Sequence, residues 1–291
     1  MPATIVLADH TGRLGNRLIL YSHVIAAAEE YGCRVVNLSI LAASHYFAGL
    51  HLNPWASYPR QTFPFDLRWL IRPFRTPIQN WVRGRRGKPP ARNRWLTVLD
   101  MENRPTYRLD SPEFANLTRS SRWIVLWGYP FRCPNLLEKH AVKVREFFRF
   151  RRALAPEAGA RLATARAAGK KTLCIHVRQD DVIREPWRYV EPWKYAQALQ
   201  SFRQHHPETD WEVFVCSDSR IPLNLFPEDA VRGIPRPLSE DYGLMEGADA
   251  LMGFDSTLSI FAAFASEKPF LRLRREDCSW REERRLCYDG V

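Results

Sequence analysis

The segment Thr172–Asp181 holds the chain's strongest chemical signal, because a short apolar run ends abruptly in His176, Arg178 and Asp181. Such a run predicts a buried β-strand, and strand alternation would point His176 and Arg178 the same way. Open α/β folds bind ligands beyond the carboxyl ends of their strands. The planar guanidinium of Arg178 suits pyrophosphate oxygens, while an ion pair with Asp181 is an equally good interpretation of the spacing.

A glycine-rich turn follows the first predicted strand, Thr4–Ala8. Gly12 and Gly15 permit close backbone approach, and Asn16 and Arg17 follow them into a predicted helix whose amides could bind an anion or a sugar hydroxyl. A turn with two glycines is also common without any ligand, and by itself this signal favours the plain turn.

Two further predicted strands end in polar residues. After Asp249, the segment continues through Gly253 to Ser256 and Thr257, whose hydroxyls are suited to capping a helix or to contacting a phosphate. Asp218 follows the run Val213–Cys216 and is suited to a base or ribose, although an aspartate that forms a turn is the commoner case.

Composition indicates an ordinary globular protein. The 291 residues are 45% hydrophobic and 26% charged, enough for one large core or two modest ones. The sequence contains no apolar run long enough to span a bilayer and no secretory signal, so we expect a cytoplasmic protein. Six scattered cysteines without a CxxC pair suggest neither a zinc site nor a disulfide framework.

Positive charge is concentrated in the first half of the chain. Residues 1–150 hold 22 Lys and Arg against 10 Asp and Glu, whereas residues 151–291 hold 21 against 22. Between residues 60 and 94, ten basic residues are interleaved with Phe and Trp, and Asp66 is the one acidic residue. This asymmetry indicates two domains with different partners.

Strands and helices are predicted to alternate, above all after residue 170, which favours an α/β fold with parallel sheets. We expect two Rossmann-like domains that face a cleft. The expected boundaries are 1–160 for the first domain and 161–291 for the second. A helical stretch over 136–154 is expected to turn Val142, Val144, Phe147 and Phe148 toward a core.

Taken in order, the segments GRLGN, HVRQDD, VFVCSD and DALMGFDSTLS resemble the motifs of the fucosyltransferase superfamily. This superfamily includes bacterial α-1,2-fucosyltransferases, core α-1,6 enzymes and protein O-fucosyltransferases. The overlap spans about half of the chain. Two departures concern Asp255, where asparagine is usual in the α-1,2 branch, and Arg17, where glutamine is commoner.

The resemblance implies a GT-B glycosyltransferase that inverts the anomeric carbon, uses GDP-fucose as donor substrate and needs no metal or other cofactor. Arg178 would bind the β-phosphate, with His176 beside the nucleotide. The resemblance further implies pyrophosphate binding by Ser256 and Thr257, a place near the nucleoside for Asp218 and Asp249, and a place facing the donor sugar or acceptor for Asn16 and Arg17. Gly12, Gly15 and Arg17 are counted among the donor-binding candidates, and Asn16 among the catalytic candidates.

An acceptor hydroxyl loses its proton as it attacks, so a carboxylate is expected within reach of it. Glu185 is our first candidate, because the core α-1,6 branch has its catalytic glutamate just beyond the same motif, and Asp181 is the second. A solvated loop position beside Arg184 and Arg188 explains Glu185 equally well.

The basic first half suits a glycan or lipid-linked glycan acceptor that is acidic or lies at an anionic membrane surface. Residues 60–94 would then make a peripheral contact at the inner membrane face, although a solvated arginine-rich loop is an even alternative. Two other functions stay open: transfer from another GDP-sugar, and non-catalytic binding of RNA or another polyanion. For the transferase that the resemblance implies, no nucleic-acid partner is expected.

Overall fold

The computed structural model describes residues 2–8, 12–65, 73, 76–81, 84, 95–101, 105–180, 182–184, 188–226 and 237–283. The chain forms two compact units that divide between Arg149 and Phe150. The boundary expected at residue 160 falls inside a helix, Pro156–Ala167, that belongs to the second unit. The fold is α/β with parallel sheets, as the alternating pattern predicts.

The first unit is built on a parallel four-stranded sheet with the order β2-β1-β5-β3. A second, two-stranded parallel sheet pairs β4 with β6. Gly32 ends the long first helix in the left-handed conformation, and its N–H donates to the Ala28 carbonyl. The elements are β1 (Thr4–Leu7), α1 (Leu14–Tyr31), β2 (Arg34–Asn37), β3 (Leu96–Asp100), β4 (Tyr107–Arg108), α2 (Pro112–Ser120), β5 (Trp123–Trp127), β6 (Phe131–Arg132), α3 (Pro134–Lys139) and α4 (Ala141–Phe147).

The second unit is built on a five-stranded sheet with the order β11-β10-β9-β7-β8. Its strands are parallel except for β11, which runs antiparallel to β10 at the edge. The elements are α5 (Pro156–Ala167), β7 (Lys171–Val177), α6 (Pro192–His205), β8 (Trp211–Ser217), α7 (Leu238–Gly247), β9 (Ala250–Gly253), α8 (Thr257–Ser266), β10 (Phe270–Leu273) and β11 (Trp280–Glu283).

Helix α6 shows why the second unit folds as it does. Its buried residues Tyr195, Ala198, Leu199 and Phe202 have the i, i+3, i+4, i+7 spacing of one helix face, and Pro192 opens the helix where its missing N–H costs no hydrogen bond. That face packs in one core with alternate residues of β7. The strand is therefore held rigidly up to Val177, one residue before Arg178.

The predicted helix over 136–154 is wrong in part. The segment forms two short helices, α3 and α4, which meet at His140, followed by a 3-10 turn at Arg152–Leu154. Val142 has 66% of its surface exposed, whereas the three other residues of the predicted stripe are buried. Val142 and Val144 are two residues apart in α4, so their side chains point about 200° apart around the helix axis. Val142 therefore faces solvent when Val144 faces the core.

Candidate functional site

The carboxyl end of β7 is fastened to the end of the neighbouring strand β8 by Asp218. One carboxylate oxygen of Asp218 accepts the backbone N–H of Gln179 at 2.7 Å and that of Asp180 at 3.1 Å. The side-chain amide of Gln179, which is buried, donates to the carbonyl of Val190 at 2.9 Å. These bonds hold the backbone on the far side of Arg178, which is itself half-buried.

Tyr195 supports the near side of the same turn. It is buried in α6, and the backbone N–H of Arg178 hydrogen-bonds to its hydroxyl. Burial is the largest influence on the Tyr195 pKa and raises it well above the ordinary value, and the charges of Asp218 and Asp255 act in the same direction. Sequence reasoning did not single out Tyr195, because a tyrosine in a helical apolar stripe indicates core packing. The position of its hydroxyl beside Arg178 is visible only in the fold.

His176 lies inside β7 and is buried. Burial, reinforced by the positive charge of Arg178 and opposed by Asp218, lowers its pKa to about 4. The imidazole is therefore uncharged at neutral pH. Its Nδ1 atom is buried and has no hydrogen-bond partner within the described chain. For a bound anion, the positively charged partner at this edge would be Arg178, and His176 could make only an uncharged contact.

Helix α8 begins at the same sheet edge, directly after β9. Gly253 pairs with His176 in register, and a Cβ atom at Gly253 would lie 3.3 Å from Ser259 Oγ and 3.5 Å from the His176 carbonyl. The glycine thus lets the first turn of α8 approach β7 closely. Ser256 and Thr257 are buried at the helix start, and the first turn carries no acidic residue. Ser256 occupies the N-cap position, yet its side chain makes no capping hydrogen bond.

This helix start can receive an anion. The first amides of an α-helix lack partners within the helix and carry the positive end of its dipole. The Ser256 hydroxyl does not accept a hydrogen bond from these amides, contrary to the capping interpretation, so it is available to a ligand. Asp255 forms an ion pair with Arg272 of β10, which also contacts Glu283 at 3.2 Å, so this carboxylate is partly neutralised.

Asp249 is not at this edge. It lies at the opposite, amino end of β9, where its carboxylate accepts the backbone N–H of Thr172 at 2.9 Å and the Thr172 hydroxyl at 2.8 Å. Burial would raise the pKa of Asp249, but the hydrogen bonds from Thr172 outweigh it and lower the pKa. The place near the nucleoside predicted for Asp249 does not agree with this position. Asp249 is close in sequence to Ser256 and Thr257, but β9 lies between them and places Asp249 at the opposite edge of the sheet.

In the first unit, the residues at positions 12–17 are joined by hydrogen bonds and close packing. The Arg17 guanidinium donates to the Gly12 carbonyl at 2.8 and 3.1 Å and to the Ser39 carbonyl at 3.2 Å, joining the turn to the end of β2. Gly12 has a φ of +61°, and a Cβ atom there would lie 2.1 Å from Asn16 Nδ2. Gly15 is buried in the first turn of α1. The described contacts of Arg17 therefore stabilise the turn.

The structure thus brings His176, Arg178, Asp218, Ser256 and Thr257 to one sheet edge of the second unit. Asp181 and Glu185, the two candidate bases, lie outside the described residues, as does most of the segment 66–94. Within the described part of the chain, no three histidine, cysteine, aspartate or glutamate residues come together as metal ligands would. No helix of the described ranges combines the length and the apolar character needed to cross a membrane.

No family model and no curated protein matches the chain in sequence. Solved structures do match it. The structure of POFUT1 in complex with GDP superposes with a TM-score of 0.53 over 91% of this chain and 95% of that chain, at 12% identity. A complex of POFUT1 with GDP-fucose gives 0.52 over the same shares, also at 12% identity. An Arabidopsis thaliana FUT1 mutant in complex with GDP gives 0.55 over 96% of this chain and 72% of that chain, at 12% identity. This chain therefore has the fold of the fucosyltransferases POFUT1 and plant FUT1.

Proposed function

We propose that the protein is a glycosyltransferase that moves fucose from GDP-fucose to a hydroxyl of a glycan or glycolipid, with inversion and without a metal ion. The observation that carries this proposal is the sheet edge of the second unit, where Arg178 and the uncapped start of α8 converge. Proteins with this fold are seen with GDP or GDP-fucose bound.

The leaving group explains why this edge suits the reaction. Cleavage of the bond between the sugar and the diphosphate leaves additional negative charge on GDP. Arg178 would neutralise it with a planar fork of donors, and the amides of α8 with the hydroxyls of Ser256 and Thr257 would supply further hydrogen bonds. These groups are held before the substrate arrives, since Asp218 and Tyr195 fix the backbone around Arg178. Asp218 therefore enters the proposal as a positioning residue.

The acceptor hydroxyl must lose a proton as it attacks the anomeric carbon. Glu185 is the proposed base and Asp181 the second choice, both on sequence grounds. Glu185→Gln is expected to leave GDP binding intact and to reduce transfer by about 10²-fold or more. Unchanged transfer by this variant would remove Glu185 from the mechanism.

The acceptor is proposed to be a glycan or lipid-linked glycan, with the first unit as the acceptor side of a GT-B arrangement. The support is its excess of basic residues and, within the segment 60–94, the exposed aromatic side chains of Phe63, Phe65 and Trp81. Such residues suit an anionic interface.

The donor is tested by thermal unfolding in EDTA with GDP, UDP, CMP or ADP. Stabilisation by GDP but not by the other nucleotides is expected, and stabilisation by UDP alone would contradict the proposal. Release of GDP from GDP-fucose and from GDP-mannose, compared in the same buffer, then identifies the sugar. Faster release of GDP from GDP-mannose would show that the donor is a GDP-sugar other than GDP-fucose. A requirement for added Mg²⁺ would contradict metal independence.

A further inference from the structure

The first unit contains a cavity of about 400 Å³ along one face of its sheet. This volume lies in the range of sites that bind small molecules. The floor of the cavity is one face of the sheet, formed by side chains that alternate along the strands, such as Val6 of β1 and Val36 of β2. Trp55, Tyr58 and Ile78 complete the wall.

The mouth of the cavity lies at the amino edge of the sheet. Thr4, Arg34 and Trp123 are the first residues of three neighbouring strands, are paired in register, and all line the cavity. Arg34 is exposed, and 42% of the surface of Trp123 is exposed. The glycine-rich turn at Gly12 leaves the other end of β1, so this mouth is separate from it.

Positive charge stands at this mouth and not inside it. Arg34 forms an ion pair with no carboxylate of the described chain, and it is the charged residue of the lining. Next to Trp123, the guanidinium of Arg122 lies 5.5 Å from the centre of the Trp95 ring, which is 57% exposed. A stacked guanidinium keeps its in-plane N–H groups available to an anion.

An apolar cavity with a cationic rim matches one kind of ligand. A polar sugar would find few partners in the lining, because the hydroxyls of Ser57 and Tyr58 already bond to Asn53 and Glu29. A hydrocarbon chain gains free energy from burial against Val6, Val36 and Ile78. A negative head group would stay at the rim beside Arg34. We propose that this cavity binds the hydrocarbon chain of a single-chain anionic amphiphile, with the head group held at Arg34. The site does not depend on the proposed transferase activity.

The test is a chain-length series measured by calorimetry on the full chain, with hexyl, octyl and decyl phosphate kept below their micelle concentrations. Saturating GDP keeps phosphates from competing for the edge near Arg178. Affinity is expected to rise about fourfold for each methylene that enters the cavity, and to level off once the cavity is full. Equal affinity for the hexyl and decyl compounds, or no binding of either, would overturn the proposal.

Two variants distinguish the part of the site that would bind the hydrocarbon chain from the part that would bind the head group. Val36→Phe fills the cavity and is expected to abolish the rise with chain length, while the control Val142→Phe, at an exposed position, keeps it. If Val36→Phe does not fold, Ile78→Phe serves the same purpose. Arg34→Gln is expected to weaken all three alkyl phosphates by the same factor of about ten or more, whereas the exposed Arg119→Gln changes nothing. Binding of decyl phosphate to the filled variant as to the natural protein would refute the site.

The same series made with alkyl carboxylates identifies the source of the head group. Tighter binding of phosphates points to a phosphate-bearing lipid, and equal binding points to a fatty acid. Both results support an anionic amphiphile. Equal affinity for octyl phosphate and neutral octanol would instead contradict the role of Arg34.

Discussion

Arg178 is defined at the residue scale by what holds its backbone. The chain before it is the rigid end of β7, its own N–H is bonded to Tyr195, and the next two amides are bonded to Asp218. A side chain on such a fixed backbone can meet a phosphate with little reorganisation, which is the condition for strong electrostatic stabilisation.

Arg178→Ala is expected to lower the rate of fucosyl transfer by about 10² to 10³-fold, because one donor to the developing charge is lost. Arg178→Lys should have a rate between those of the natural protein and Arg178→Ala, since lysine keeps the positive charge and loses the planar guanidinium with its paired donors. Steady-state kinetics with GDP-fucose measure the effect. The exposed Arg203→Ala, in α6 of the same unit, is the matched control. Natural turnover by Arg178→Ala would refute the assignment.

Gly12 combines a left-handed backbone with a close contact to Asn16, so its substitution should destabilise the protein. Gly12→Ala should lower the free energy of unfolding by more than the roughly 1–2 kcal/mol that a left-handed alanine costs, because its Cβ also clashes with Asn16. Gly169→Ala is the control, since Gly169 has a φ of +74° and no atom lies within 4 Å of the position that its methyl group would occupy. Urea unfolding measures both. An equal loss in the two variants would show that the contact with Asn16 is not limiting.

At the scale of elements, two aspartates at opposite ends of one sheet do related work. Asp218 fastens the turn after β7, and Asp249 fastens the start of β7 through Thr172. Both carboxylates accept backbone N–H groups, yet only the first lies beside Arg178. Under the proposed function, Asp218 would contribute to ligand binding as well as to stability, and Asp249 to stability alone.

Asp218→Ala and Asp249→Ala are each expected to reduce stability by about 1–3 kcal/mol. The first leaves two backbone N–H groups without their acceptor, and the second leaves the backbone N–H and the hydroxyl of Thr172 without theirs. Only Asp218→Ala should also weaken GDP binding, by about tenfold, because the turn that carries Arg178 loses its support. Calorimetric titration with GDP distinguishes them. A loss of GDP affinity in Asp249→Ala equal to that in Asp218→Ala would restore the nucleoside-side role expected for Asp249.

Elements with a clear period were predicted well from sequence. Apolar spacing and the flanking Pro192 or Ser256 predict a strand at 123–127 and helices at about 192–205 and 257–266, and β5, α6 and α8 have these ranges. The strands β3 and β11 and the helix α2 were not predicted. Their apolar signal is short or mixed with charge, as in Trp280–Glu283, although β11 pairs with β10, its neighbour along the chain.

At the scale of the whole molecule, two buried histidines link stability to pH. Burial, together with nearby Arg132, lowers the pKa of His23 to about 3, and the pKa of His176 is about 4. The Nδ1 atom of His23 accepts the backbone N–H of Cys133 at 3.1 Å, which requires a neutral ring nitrogen. In the unfolded chain both rings would titrate near 6.5.

Because the folded pKa values lie below the unfolded ones, the unfolded chain binds protons first as the pH falls. The stabilisation is complete above about pH 6.5 and is lost on the way toward pH 4. Each histidine should remove about 2 kcal/mol between pH 7.5 and pH 5. Urea unfolding at these pH values tests this, and His23→Gln and His176→Gln should each halve the slope. A stability that is constant from pH 7.5 to pH 5 would contradict it.

The sequence alone determined the class of fold and the strand ends that carry polar residues, because hydrophobic period and strand-end chemistry are local properties. The phosphate-binding role of Arg178 rests on the motif resemblance and stays a prediction. The tertiary structure decided which of these residues meet. It placed Asp218 and Tyr195 around Arg178, moved Asp249 to the other edge, turned Val142 to solvent and formed the cavity beside Arg34. These facts depend on strand order, register and helix phase, which are set by contacts between residues far apart in the chain.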